Sequence, residues 1–300
     1  MRATSAPVPY KILIAVDGSV HANRAAEYAV RYAAGFDHCE VILVHAQPAE
    51  SYPTASREGE QFVVELFDLG RRASATARSL LDAAKLPYRL KTELTDPASA
   101  IESVAHSERA DEIIMGSRGL GQWGGLIVGW VAYRVIHRAA IPVTVVRSQS
   151  ARAKATKPDV HRLLVAVDGS TAALKAVEYV CRLRAARVPV EAELLNVAAP
   201  LPEAYVAGAL TPEMADGYYR EQAGAALRTA TEALRAAAVP CSTHVASGRA
   251  ADQIVELSRK LECGRIVIGT RGHGSVASFL LGSTAYQVVH LAATPVTLVR

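Results

Sequence analysis

Short apolar runs alternate along this chain with longer segments whose apolar residues recur every three or four positions. In the second half, "LLVAVD" is a continuous apolar run closing on Asp-Gly, the pattern of a parallel strand buried on both faces. "TAALKAVEYVCRLRAA" follows, with Leu174, Val177, Val180 and Cys181 at helical spacing. Next come "VEAELLNVA" as a strand, "TPEMADGYYREQAGAALRTATEALRAA" as a helix, "CSTHVAS" as a strand and "AADQIVELSRKL" as a helix. "RIVIG" reads as a strand, "SFLLGSTAYQVVHLA" as a helix and "PVTLVR" as a strand. Strands that alternate with helices predict an α/β domain with a doubly wound parallel sheet.

The first half repeats this order. "KILIAVDGS" (Lys11 to Ser19) returns as "RLLVAVDGS" (Arg162 to Ser170), and "IIMGSRGLG" returns as "IVIGTRGHG". "AYRVIHRAAIPVTVVR" (Ala132 to Arg147) returns as "AYQVVHLAATPVTLVR" (Ala285 to Arg300). A repeat of roughly 150 residues is domain-sized, not solenoid-sized. The polar, basic "SQSARAKATKPDVH" between the copies reads as a linker. The expected domains are therefore 1–148 and 161–300, with a linker over 149–160. Each has five strands in the expected order 3-2-1-4-5. The winding then reverses between strands 1 and 4, where such sheets bind ligands at the strands' carboxyl ends.

Composition narrows the function class. The net charge of the 300-residue chain is +4, with no long Lys/Arg run and only 6% aromatic residues, so no nucleic-acid partner is expected. The N-terminal "MRATSAPVPYK" has no apolar h-region, and "GGLIVGWVAYRVI" is too short to span a bilayer. A cytoplasmic protein without a membrane partner is the expectation. Cys39, Cys181, Cys241 and Cys263 are isolated and read as buried thiols.

The candidate chemistry lies in two glycine-bearing loops per half. Gly119, Gly121 and Gly124 spell G-x-G-x-x-G, but late in their half and with no acid downstream, which fails the context a dinucleotide fingerprint needs. In the second half, Gly269, Gly272 and Gly282 are followed by Ser283 and Thr284 at the expected start of the last helix. Small residues there let backbone N–H groups approach an anion, and the helix N-terminus adds partial positive charge. Turn-making glycines with Ser283 as a plain helix cap fit the same residues. Asp168, after the first strand, suits ribose hydroxyls or a helix N-cap. The fold would bring it opposite the glycine loop.

The spacing G-x2-G-x9-G-[S/T], closing a domain that opens with "AVDGS", resembles the ATP-binding class of universal stress proteins. The resemblance covers nearly all of both halves, as a tandem pair. It implies ATP, which Mg²⁺ can accompany, and a regulatory role in stress. Carried onto this chain, it implies that Asp168 binds ribose, Ala166 lines the pocket and Val197 meets adenine through its backbone. Gly269, Arg271, Gly272, Gly282, Ser283 and Thr284 would surround ribose and phosphates. A slow ATPase and a scaffold that binds no nucleotide are the competing readings. No catalytic residue is assigned, because no paired carboxylates lie near the loop.

The first half departs from the pattern. Asp17, Gly116, Gly119 and Gly129 match and mark a weaker second site, but Trp130 stands in the hydroxyl position and Asp96 adds a negative charge. The matched His137 and His290 lie near the far end of the last helix and read as structural. The final strands, with Pro142 and Pro295 at their starts, would be apolar sheet edges. The resemblance implies that they pair the two halves as an internal pseudo-dimer, which leaves room for a further homodimer.

Overall fold

Every apolar run that closes on Asp-Gly becomes a central strand. The computed structural model describes residues 9–48, 60–118, 128–147, 160–200, 211–272 and 281–300, so nearly all of the expected 149–160 linker lies outside the described residues. The chain divides into two units, Met1–Gln149 and Ser150–Arg300.

In the first unit the order is β1 (Tyr10–Ala15), α1 (Val20–Ala33), β2 (Cys39–Gln47), α2 (Glu60–Ala73), α3 (Ala75–Ala83) and β3 (Tyr88–Leu94). It continues with α4 (Pro97–Ser107), β4 (Glu112–Gly116), α5 (Trp130–Arg138) and β5 (Val143–Val146). All pairings within it are parallel, in the order β3-β2-β1-β4-β5. Helix α1 packs with α3, and α4 with α5, so the two pairs cover opposite faces of the sheet. Ile12, Leu13 and Ile14 of β1 are fully buried, as a central strand covered on both faces requires.

The second unit repeats the plan as β6 (His161–Ala166), α6 (Thr171–Ala185), β7 (Val190–Ala198), α7 (Pro212–Ala236) and β8 (Cys241–Ser247). Then come α8 (Ala250–Lys260), β9 (Arg265–Gly269), α9 (Ser283–Leu291) and β10 (Val296–Val299). Its parallel order is β8-β7-β6-β9-β10, again 3-2-1-4-5 within the unit.

Two local differences from the sequence pattern have physical causes. The long helix of the second unit, α7, corresponds to two helices in the first. Ser74 sits at the break, fully buried, and its hydroxyl donates to the Gly70 carbonyl at 2.7 Å. A buried hydroxyl bonding back one turn bends a helix. The last helix of the second unit starts at Ser283, later than the run "SFLLGSTAYQVVHLA" suggests; residues 273–280 lie outside the described residues.

The turn after the first strand is built alike in both units. Gly18 and Gly169 take φ +81° and +84°, a region that disfavours side chains. Ser19 and Ser170 cap the helices, each hydroxyl accepting the amide three residues on at 3.2 Å. All four cysteines are free thiols; burial pushes Cys39 and Cys263 up to about 12, which keeps them protonated and unreactive.

The last residue of the fourth strand meets the first turn of the first helix through bare backbone. A Cβ on Gly116 would lie 2.6 Å from the carbonyl carbon of His21, and one on Gly269 would lie 2.6 Å from that of Ala172. We therefore expect Gly116→Ala and Gly269→Ala each to cost about 1–3 kcal/mol, the scale of an overpacked core. Gly217→Ala is the control: its Cβ would meet nothing within 4 Å, and it should gain about 0.5–1 kcal/mol of helix propensity. Urea midpoints at constant slope read all three.

Candidate functional site

At the carboxyl ends of β6 and β9 the second unit opens a cleft of about 470 Å³, within the size range of small-molecule sites. All nine residues singled out in this half line it: Ala166, Asp168, Val197, Gly269, Arg271, Gly272, Gly282, Ser283 and Thr284. Sequence reasoning missed other lining residues, among them Leu195, Ala250, Ile254, Thr270 and Leu281. Ile254 carried a signal, since it lies on the apolar stripe of α8 and is buried.

Asp168 divides its carboxylate. Oδ1 accepts the Ser170 amide at 2.9 Å and holds the turn, while Ser170 supplies the helix cap. The expectation that Asp168 itself could be the N-cap is therefore corrected. Oδ2 faces Gly272 so closely that a Cβ there would lie 2.8 Å from it. The Ser170 hydroxyl also donates to the Arg271 carbonyl at 3.4 Å, which ties the first turn to the glycine loop.

Gly282 is the cap residue of α9, and its amide donates to the Thr270 carbonyl at 2.8 Å. Ser283 is the first helical residue and is exposed, so the reading of Ser283 as a plain cap does not hold. The first bond of the helix runs from the Tyr286 amide to the Gly282 carbonyl. Ser283, Thr284 and Ala285 form the first turn of this helix, whose amides have no acceptor within the helix itself, and they line the cleft at the helix's positive end. Asn196, also missed from sequence, donates to the Val167 carbonyl at 2.8 Å and fixes the end of β7 against β6.

The first unit keeps the frame and changes the lining. The Asp17 carboxylate accepts the Ser19 amide at 2.9 Å, and the Gly129 amide donates to the Ser117 carbonyl at 2.7 Å. Gly119 lies outside the described residues. Trp130 opens α5 with its indole 67% exposed, stacked on Tyr133 with ring centroids 6.1 Å apart and the Arg134 guanidinium 5.9 Å from its ring. The ring runs along its own helix and does not fold into the crevice. His137 packs its ring against Tyr133 at 4.2 Å and His290 against Tyr286 at 4.3 Å.

Asp96 faces away from the role of a repulsive charge. It accepts from the Ser99 amide at 3.0 Å as the cap of α4 and pairs with Arg134 at 2.5 Å. The second unit has Gly248 and Gln287 at these positions.

The sequence matches the universal stress protein family twice, over residues 10–147 and 159–300. The chain belongs to the universal stress protein family. Among its relatives, universal stress protein Rv2623 of Mycobacterium tuberculosis is 27% identical over 96% of both chains. A universal stress protein of Thermus aquaticus is 36% identical, covering 45% of this chain and 97% of its own. A solved universal stress protein from Archaeoglobus fulgidus superimposes with a TM-score of 0.66 at 20% identity, over 97% of this chain and 98% of that one, which supports the fold. Among the described residues, no helix of this universal stress protein is long and apolar enough to cross a membrane.

Burial works to raise the Asp96 carboxyl, but the Ser99 amide and hydroxyl and Arg134 outweigh it and hold the group below its ordinary value. A depressed carboxylate stabilises the fold above its unfolded-state pKa, and that contribution is lost as pH falls through the folded-state value. Asp96→Ala should therefore cost about 1 kcal/mol near neutral pH, the scale of a lost N-cap, with little added by the exposed ion pair. The gap between variant and parent should narrow as pH drops through the acid range, measured by urea denaturation at several pH values.

Proposed function

We propose that this universal stress protein binds ATP in the cleft of its second unit and serves as a nucleotide-responsive regulatory protein. One observation carries the reading: all nine residues that the family resemblance assigned to ATP line a single cleft. Asp168 lines the cleft, where its carboxylate suits a ribose hydroxyl, and the amides of Ser283, Thr284 and Ala285 suit a phosphate chain. The apolar floor of Leu195, Val197 and Ile254 suits an adenine ring, with Val197 offering backbone groups to its edge. Arg271 lies on the exposed lip, where its charge would meet phosphate. Mg²⁺ would enter with the triphosphate and offset its charge. Among the described lining residues Asp168 carries the only carboxylate. One carboxylate already committed to a turn favours binding over rapid hydrolysis, which needs a group to position water. Asp17, Gly116, Gly119 and Gly129 make a weaker second nucleotide site in the first unit, where Trp130 removes the hydroxyl donor.

Calorimetry with ATP tests this reading. Gly272→Ala should push the Asp168 carboxylate out of place and lower affinity at least tenfold, while the fold remains. Ser283→Ala should cost about 0.5–1.5 kcal/mol, the net scale of one hydrogen bond. Unchanged affinity in both folded variants would move the nucleotide elsewhere. Mass spectrometry of gently purified protein gives an independent readout: ATP should accompany the chain at close to one molecule per chain.

A further inference from the structure

Helix α2 of the first unit turns apolar side chains outward. Val63, Val64 and Phe67 are 49%, 59% and 57% exposed. Spacings of three and four residues place Val64, Phe67 and Arg71 on one line of the helix, with Val63 and Asp68 on either side of it. The opposite face is pinned. Phe62 is buried, and Gly70 lies so close to β3 that a Cβ on it would collide with the Thr92 hydroxyl. Turning the helix to bury the apolar line would break that contact, so the fold sets its outward direction. The second unit does not repeat this face. Counting back from the starts of β3 and β8, at Tyr88 and Cys241, the α7 residues that match Val63, Val64 and Phe67 are Asp216, Gly217 and Arg220. Gly217 and Arg220 are exposed. The same chain thus holds a polar version of this helix, and the apolar version is the one that gains from a cover.

We infer that a second copy of this chain supplies that cover, with the two α2 helices packed antiparallel about a two-fold axis at Phe67. Charge on the face selects this occupant. The exposed acids Glu65 and Asp68 precede the exposed bases Arg71 and Arg72, so the face is neutral as a whole and divided by sign along its length. A strongly acidic or basic partner gains nothing net from such a face, whereas an inverted copy is its complement. In the antiparallel pair each Arg71 lies beside the partner's Val63, since both stand four residues from Phe67. The basic turn of one helix then borders the turn of the other that carries Glu65, and the opposed helix dipoles favour the same order. A parallel pair would set Arg71 and Arg72 against their own copies. Helix α2 packs on β3 and β2, and β3 lies at the opposite end of the unit's strand order from β5, so this pairing leaves β5 untouched. It is independent of nucleotide binding in the second unit. One helix face covers much less than the roughly 800 Å² per partner of a standard interface, so the dimer is weak, with a Kd on the order of 100 μM.

Sedimentation equilibrium of the full chain from about 10 μM to about 1 mM tests the inference. The mass should rise from one chain toward two across that range. Val63→Asp and Phe67→Arg, which copy the matching residues of α7, should each weaken association at least tenfold. Their urea midpoints should stay in place, because both side chains are exposed. A charge exchange tests the pairing itself. A chain with Arg71→Glu and Arg72→Glu, and a chain with Glu65→Lys and Asp68→Lys, should each remain monomeric alone and associate when mixed. For the orientation, Val63→Cys chains mixed with Arg71→Cys chains should form a disulfide-linked pair faster than either variant alone. A parent chain that stays monomeric at the highest concentration, or a dimer that Val63→Asp and Phe67→Arg leave unchanged, would overturn the interface. Faster linking of Val63→Cys to itself than to Arg71→Cys would overturn the antiparallel order.

Discussion

Each unit is organised by one contact, the bare backbone of a strand-ending glycine against the first turn of the helix that follows β1 or β6. A virtual Cβ on either glycine falls 2.6 Å from a carbonyl carbon, so no side chain fits without moving the helix. This approach brings together two loops that are almost 100 residues apart in the chain. The Asp-Gly-Ser turn lies on one side and the glycine loop on the other. Ser170 then links them, capping its helix and donating to the Arg271 carbonyl. The cleft is a consequence of that closeness, because small residues at the contact leave the strand ends uncovered.

On this shared frame the two crevices diverge in how they treat charge. In the second unit the donors are backbone amides at a helix start, which carry no side-chain cost and approach a ligand closely. In the first unit the corresponding helix opens with an exposed indole, and Arg134 is drawn to Asp96 and the indole face. Arg118 and Arg147 have counterparts in Arg271 and Arg300, so among these residues the difference is His21, which stands where the second unit has Ala172. Backbone amides hold their partial charge at any pH, whereas His21 is titratable, and burial, then Arg118 and Arg147, hold it below its ordinary value against the pull of Asp17.

The fold was legible because parallel strands buried on both faces read as unbroken apolar runs, and because the chain states the pattern twice. The repeat also made Gly269, Gly272, Gly282 and Ser283 stand out by spacing. Other features were not legible. Ser74 sits within a helical pattern, and only its burial and its bond to Gly70 reveal the break between α2 and α3. Asn196 and His45 occupy matching places on β7 and β2, each within hydrogen-bonding distance of the carbonyl that follows the first strand's end, at 2.8 and 2.9 Å. Different residue types in that shared role hide it from a comparison of the halves. His21 was overlooked for a related reason: it packs against Gly116, nearly a hundred positions away, and no local pattern signals that contact.

The divided carboxylate of Asp168 bears on what the Asp-Gly-Ser motif can be taken to mean. One oxygen closes the turn and the other faces the cleft. The first role depends only on the local chain, and Asp17 performs it identically in the unit whose last helix opens with Trp130. The motif is therefore required by the fold whether or not a ligand binds. The second oxygen depends on what faces it across the crevice. Gly272 has no Cβ at a place where one would sit 2.8 Å from Oδ2. The backbone of Gly272 can therefore pack directly against that oxygen, an approach that any side chain there would prevent.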